Sequence, residues 1–412
     1  MSTYTTDRAS PFTRAVISSM RRLYPERLAD KDFDNTGLLL EAPFDPIRRQ
    51  MNSVLLTIDL TKAVADEAIQ RKDCVVVSYH PIIFRGFKSL TLADTQQQSL
   101  LRLALEGISV YSPHTAVDAA PGGLGDWLAD IVTGTLPEPE PSTHTAKEGE
   151  EKLPDLDENE VRHKPVEDGV TDGASVPEKK PAPKPKRPSM MPRSSTYSKP
   201  TYPKPAETEK TLEANSSEIR HTRRTIHPIS GVDGFEDAGM GRFVQYEEPQ
   251  PLTHLIERIA KGVGSPKGFP VAIPQNMQVE DIQIRSVGVC AGSGHSVLKD
   301  CDADLLFTGE LSHHDALRMT EQGKCVVTLF HSNSERGFLS SVMKDKLASV
   351  LREEWEKVRN EVEGEIDATM ALKEEWEDAI KDEDVLVEVS EKDRDPFGVV
   401  ILQSDQEGLP LR

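Results

Sequence analysis

Several apolar runs in this 412-residue chain stop at a side chain able to bind a metal ion or carry a proton. "SVLLTID" stops at Asp59, and "CVVVSYH" stops at His80. "ISVYSPHTAVD" supplies His114 and, four residues on, Asp118. "ADLLFTGELSHH" supplies Glu310, His313 and His314, and "CVVTLFHSNSE" supplies His331 and then Glu335. Imidazole and carboxylate together suit Zn²⁺, Mn²⁺, Fe²⁺ or Ni²⁺. A carboxylate can bridge two such ions about 3.5–4 Å apart, and the pair can activate a water.

Each residue also has a plainer reading. His80 suits a strand-end histidine bonded to backbone. Ser332 and Glu335 match the S-x-x-E capping box. Asp59 precedes "LTKAVADEAI" as an N-cap would, and Asp118 suits the turn before "PGGLGDWL". His313 and His314 lie on an expected helix, one exposed and one packed. The metal reading rests on joint recurrence at strand ends. In open α/β sheets, ligands bind just beyond the carboxyl ends of the strands.

The elements that must position these groups are legible from periodicity. Residues 53–60, 74–80 and 108–114 read as buried strands, with helical patterns over 61–71 and 95–106 between them. Phe12, Val16, Ile17, Met20 and Leu23 fall at helical spacing in the N-terminal segment; the other reading of that segment is a mitochondrial presequence. Alternating strands and helices imply α/β architecture with a largely parallel sheet covered on both faces. The same character resumes near 235. We therefore expect a first α/β lobe over 1–135 and a second over 231–412. Between them, 136–230 is acidic and then basic and proline-rich, without apolar period, and is expected to be a disordered spacer. An acidic helical insertion, a solvated helix or helical hairpin, is expected at about 346–383, where "EEWE" occurs twice and the apolar positions are too sparse to assign a coiled coil.

Two glycine-containing turns stand out. "GVCAGSGHS" (288–296) could present backbone N–H groups as an anion nest but lacks the Lys-Ser/Thr of a P-loop. A tight strand-to-helix turn explains it equally. "DNTGLLL" (34–40) suits a turn into an apolar run, and spacing gives it no chemical role.

Composition narrows the class. Apolar residues are 37%, aromatic residues 5% and the formal net charge −20, which opposes broad nucleic-acid or membrane-surface binding. No apolar run approaches the roughly 18–20 residues of a membrane span. Cys74, Cys290, Cys301 and Cys325 form no C-x-x-C pair; we read reduced thiols in a cytoplasmic protein, with nucleus and mitochondrion as alternatives.

In order, "DNTGLLL", "SYHPIIF", "HTAVDAAPGGLGDWLA", "GMGR", "CAGSG", "FTGELSHHDAL", "FHSNSERGFL" and "DRDPF" resemble the Nif-three-like family. Its members are also known as dinuclear-metal-centre proteins or GTP cyclohydrolase 1 type 2 homologues. The resemblance covers roughly 11–135, 235–345 and 385–402. It implies two similar α/β lobes, with largely parallel or mixed sheets and a metal-binding cleft between them. It also implies a dimer-based homo-oligomer, such as a hexamer. The ligands it implies are His80, Asp118, His331 and a bridging Glu335, holding two divalent ions (Zn, Fe, Mn or Ni). Many bacterial members carry His-His where this chain has Tyr79-His80. The second site is thereby weakened, unless His114 compensates; eukaryotic-type members resemble this chain there. The implied activity is metal-dependent hydrolysis of a nucleotide-like small molecule, with Glu310 and His114 as general-base candidates. The alternative is a non-catalytic metal-binding protein or a scaffold for transcriptional regulators, recruiting protein partners through the spacer.

Overall fold

A computed structural model describes residues 9–44, 50–135, 219–368 and 373–400. Most of the expected spacer, 136–218, lies outside them. The apolar runs form strands β1 (Gly37–Leu40), β2 (Ser53–Thr57), β3 (Val75–Ser78), β4 (Ser109–Ser112), β5 (His221–Pro228) and β6 (Gly239–Pro251). They continue as β7 (Val271–Ala272), β8 (Gln283–Ser293), β9 (Leu305–Glu310), β10 (Cys325–Thr328) and β11 (Leu386–Val389). The helices of the first half are α1 (Pro11–Leu23), α2 (Lys62–Arg71), α3 (Thr95–Leu105), α4 (Thr115–Ala119) and α5 (Leu124–Thr133). Those of the second are α6 (Leu252–Gly262), α7 (His295–Leu298), α8 (His313–Glu321), α9 (Asn333–Phe338), α10 (Lys344–Ala368) and α11 (Lys373–Lys381).

Two mixed sheets result, with orders β1-β4-β3-β2-β11 and β5-β6-β8-β9-β10-β7. In the first, β11, β2, β3 and β4 are parallel and β1 is an antiparallel edge. In the second, β8, β9 and β10 are parallel, and β6 and β7 flank them antiparallel. Alternate side chains go to opposite faces, as strand geometry requires. Val54, Leu56, Val75 and Val77 join one core with Leu305, Phe307 and Val327 of the second sheet. Leu55, Val76 and Val110 join a separate cluster with Val64 and Leu103 of α2 and α3. Leu306 and Val326 join a third with Leu298 and Met319 of α7 and α8. Both sheets are thus covered on both faces, and the shared core between them contains Trp127, Leu128 and Ile131 of α5.

The expected lobe boundaries need three corrections. The second sheet begins at His221, inside the expected spacer, because 221–228 pairs along its length with β6. The late strand β11 belongs to the first sheet, in register with β2 from Leu386↔Ser53 to Val389↔Leu56. Its sequence position gives no hint of this, since partner choice is long-range. The acidic insertion is also more than a solvated helix. Leu347, Leu351, Trp355, Val358 and Val362 of α10 are buried. They recur every three or four residues, as a helix stripe must. Trp355 meets Phe12 of α1 edge to face, with ring centroids 5.4 Å apart. The N-terminal helix starts where expected: Ser10 Oγ accepts from the Phe12 N–H at 3.2 Å and Pro11 occupies the first turn, a position that needs no proline N–H. No helix among the described residues is long and apolar enough to cross a membrane.

Candidate metal centre

Parallel strands of both sheets end at the residues singled out above. β3 stops at Ser78, but the Tyr79 and His80 N–H groups still donate to Thr57 and Ile58 carbonyls, at 2.8 and 3.0 Å. The ladder therefore holds His80 as rigidly as a strand residue, until Pro81 ends it. His80 Nδ1 lies 2.9 Å from Asp59 Oδ1. In the second half, His331 Nδ1 lies 2.9 Å from Glu310 Oε1. His114 Nδ1 lies 2.6 Å from Asp34 Oδ1. A carboxylate on Nδ1 fixes the ring and leaves the Nε2 lone pair as the metal-binding nitrogen.

Both Nε2 atoms face one buried carboxylate. His80 Nε2 is 3.5 Å from Glu335 Oε2, and His331 Nε2 is 3.7 Å from Glu335 Oε1. Glu335 is 2% exposed, and its Oε2 has no hydrogen-bond partner. A buried, unpartnered charge is costly. Donors on one tetrahedral Zn²⁺, bound at about 2.0–2.1 Å, would sit about 3.4 Å apart. One oxygen facing each imidazole also matches a carboxylate shared between two ions. Ligand atoms of His80, His331 and Glu335 all fall within 4.8 Å of one another. These residues fit a divalent cation.

The backbone leaves room for that group. Gly292 has φ +56°, and a Cβ there would come 2.8 Å from Glu335 Oε1 and 3.0 Å from His331 Nε2. The "CAGSG" turn is thus a clearance and not an anion nest: its Gly292 N–H donates to Ser334 Oγ at 2.9 Å. Among the described non-glycine residues with positive φ are His114 (34°) and Phe330 (67°). Strain of this kind costs roughly 1–3 kcal/mol and gathers at functional sites.

The field of the site calls for positive charge. Burial opposes ionisation of His80, but the Asp59 hydrogen bond and the nearby Glu335 and Asp59 carboxylates outweigh it and push the imidazole up to about 10. The carboxylates that would hold that extra proton favour a cation in its place. Burial, reinforced by the Glu335 charge, pushes Asp118 up to about 6 against the opposing Tyr79 hydrogen bond and the His114 and His80 charges.

The remaining expectations divide. Asp118 is not part of the compact His80–His331–Glu335 group; its Oδ1 accepts the Tyr79 hydroxyl at 2.6 Å. Burial first, then the Asp118 and Glu335 charges, raises the Tyr79 pKa well above its ordinary value, so Tyr79 is a fixed donor. His114 stands next to His80, with ring centroids 5.4 Å apart. Glu310 orients His331. His313 and His314 are both exposed at the start of α8, outside the triad. Asp59 is no cap: Thr61 caps α2, while Asp59 holds His80 and accepts from Arg336 Nη2 at 3.1 Å. Nor is 332–335 a capping box, since Ser332 Oγ donates to Asp395 Oδ2 at 2.5 Å.

Two participants had no local signal. Asp34 is buried and also accepts from the Thr115 N–H at 3.2 Å; its sequence read only as a turn. Arg336 ties Asp59 to Asp393, whose Oδ2 lies 2.5 Å from Arg336 Nη1. Its adjacency to Glu335 was the one available clue.

The sequence and the fold both match known proteins. A family model described as Duf34/NIF3 (NGG1p interacting factor 3) matches residues 13–365. "Protein NIF3 homolog" of Schizosaccharomyces pombe is 38% identical, over 83% of this chain and 93% of its own length. "NGG1-interacting factor 3" of Saccharomyces cerevisiae is 31% identical, over 81% and 89% respectively. "NIF3-like protein 1" of Homo sapiens is 32% identical, over 82% and 87%. Among solved structures, a Staphylococcus aureus hypothetical protein aligns with TM-score 0.55 at 16% identity, over 95% of this chain and all of its own. A Bacillus cereus protein related to NIF3 aligns with TM-score 0.53 at 19% identity, over 94% and 98%. At such identities the structural likeness shows the fold.

Proposed function

This chain belongs to the Duf34/NIF3 family, and from that premise we propose that it is a metal-dependent hydrolase of a small molecule. His80, His331 and Glu335 would hold two divalent ions, with Asp118 as a further ligand. One observation carries the reading: a buried carboxylate with an unpartnered oxygen, faced by two imidazole nitrogens at 3.5 and 3.7 Å. Bound divalent metal would supply a water acidified to a pKa of about 7 and polarise the bond under attack.

The chain's own residues do the positioning. Asp59 and Glu310 fix the His80 and His331 rings. Asp34 holds His114 by Nδ1, which leaves Nε2 to exchange a proton with the reacting group. Glu310, tied to His331, serves orientation in this scheme, so His114 is the general base of choice. Tyr79 keeps Asp118 in place.

The test is metal per chain, measured on protein purified without added metal and after loading, alongside turnover of a panel of nucleotide and heterocyclic substrates. His80→Ala and Glu335→Gln are expected to lose metal and turnover while remaining folded. Variants with wild-type metal content would refute the assignment. The name of the Saccharomyces cerevisiae relative, an interacting factor, favours a second reading as a binding protein. It predicts full metal content, no turnover with any substrate, and adaptor binding that is lost on deleting 138–211.

A further inference from the structure

Beside the triad lies a cavity of about 330 Å³ lined by His331 and by Glu310, which orients that ring. Its other walls include Val271, Ala272, Ala316, Phe330 and Phe397. The two phenylalanine rings stand 6.2 Å apart with 31° between their planes. Phe330 adopts its left-handed backbone immediately before His331. Phe397 is 69% exposed at the rim. An exposed ring at that position needs a reason, because the segment carrying it is firmly anchored. Asp393 pairs with Arg336 at 2.5 Å and Asp395 accepts from Ser332 at 2.5 Å, both onto the loop and helix that carry His331 and Glu335. The chain thus straps an aromatic side chain against the metal site.

Charge narrows what enters. Among the described residues no lysine or arginine lines the cavity; Glu310 is its carboxylate, and His313 and His331 are its imidazoles. An anion placed there would face Glu310 with no lysine or arginine in the described walls to balance it. The volume is at the small end of ligand pockets, which run from about 300 to 1,000 Å³. That suits a single ring system.

We propose that this cavity recognises the substrate, taking a planar heteroaromatic ring, neutral or cationic, against Phe330 and Phe397 with an N–H edge toward Glu310. A phosphate or carboxylate on the same molecule stays outside it. Delivery of the ring's labile bond to the triad rests on the hydrolase reading; recognition of the ring does not.

The probes are indole, indole-5-carboxylate and octahydroindole, titrated into the full-length protein by calorimetry or saturation-transfer NMR. Indole offers an N–H and no strong metal-binding atom. It is expected to bind wild type and metal-free His80→Ala alike. Phe397→Ala and a cavity-filling Ala316→Phe should weaken it roughly five- to tenfold with metal content unchanged. The carboxylate and the saturated bicycle should each bind at least about tenfold more weakly than indole. Absence of indole binding, equal binding of either analogue, or loss in His80→Ala with Phe397→Ala unaffected would each overturn the proposal. A protein that takes up no metal but binds indole in this pattern would sink the metal reading and leave this one standing.

Discussion

Replacing Arg242 with methionine tests how the two halves are held in the register the candidate metal centre needs. Arg242, from "GMGR" on β6, is 2% exposed. Its Nε and Nη2 reach Asp126 of α5 at 2.7 and 3.1 Å, and its Nη1 reaches the Gly239 and Gly241 carbonyls at 2.5 and 3.0 Å. Removing one partner of a buried pair costs about 3–5 kcal/mol, since the other is left desolvated. Asp126 would retain the Gly122 N–H at 2.7 Å and Arg223 at 3.5 Å, so the lower end, about 3 kcal/mol, is expected. With a urea slope of about 3 kcal/mol per M, the midpoint should fall by about 1 M. Asp126→Asn in the methionine background should cost much less than in wild type, because the pair is already broken. The sign of the pH dependence follows from Asp126. Burial opposes its ionisation, but the Arg242 hydrogen bond and charge prevail and hold its pKa below the ordinary value. A carboxyl depressed on folding stabilises fully above its unfolded pKa of about 3.9, and that stability is lost as pH falls through the folded value. The gap between wild type and Arg242→Met should therefore be constant at neutral pH and narrow as pH falls through the carboxylate range. An unchanged midpoint, or costs that simply add in the double mutant, would refute the clamp.

Gly292→Ala should abolish metal uptake without unfolding the protein. The left-handed backbone adds roughly 1–2 kcal/mol of strain, and the new Cβ lies 2.8 Å from Glu335 Oε1; wild-type metal content in this variant would contradict the cradle. Asp59→Asn and Glu310→Gln should each weaken metal affinity about 10–100-fold in a chelator competition, and unaltered affinity would deny them an orienting role. Trp355→Ala should destabilise by about 3–5 kcal/mol in urea, because α10 packs on α1 through that ring; a surface-like cost below about 0.5 kcal/mol would mean the helix is dispensable.

What was legible in the sequence was local. The continuous apolar runs at 53–60, 74–80 and 108–114 gave strands within a few residues of those observed, because each strand buries both faces and must be apolar throughout. Strand ends bearing His80 and His331 were legible too, since a polar side chain that ends such a run has to be accommodated. Partnership was not legible. Asp34 and His114 are 80 residues apart, and nothing in "DFDNTG" records an imidazole waiting across the fold. β11 reads as a strand, yet its hydrogen bonds go to β2, over 300 residues earlier.

The proposed metal site brings these two kinds of information together. His80 and His331 follow locally encoded strands and Glu335 lies on α9, whereas their aim depends on distant residues: Asp59 for His80, Glu310 for His331, and the missing side chain of Gly292 for Glu335. A glycine or aspartate of this sort is chosen for what it permits or orients elsewhere, so its own neighbourhood resembles an ordinary turn. Ligand substitutions and the Gly292→Ala clash should accordingly abolish metal binding, whereas substitutions at the orienting carboxylates Asp59 and Glu310 should weaken it by degrees.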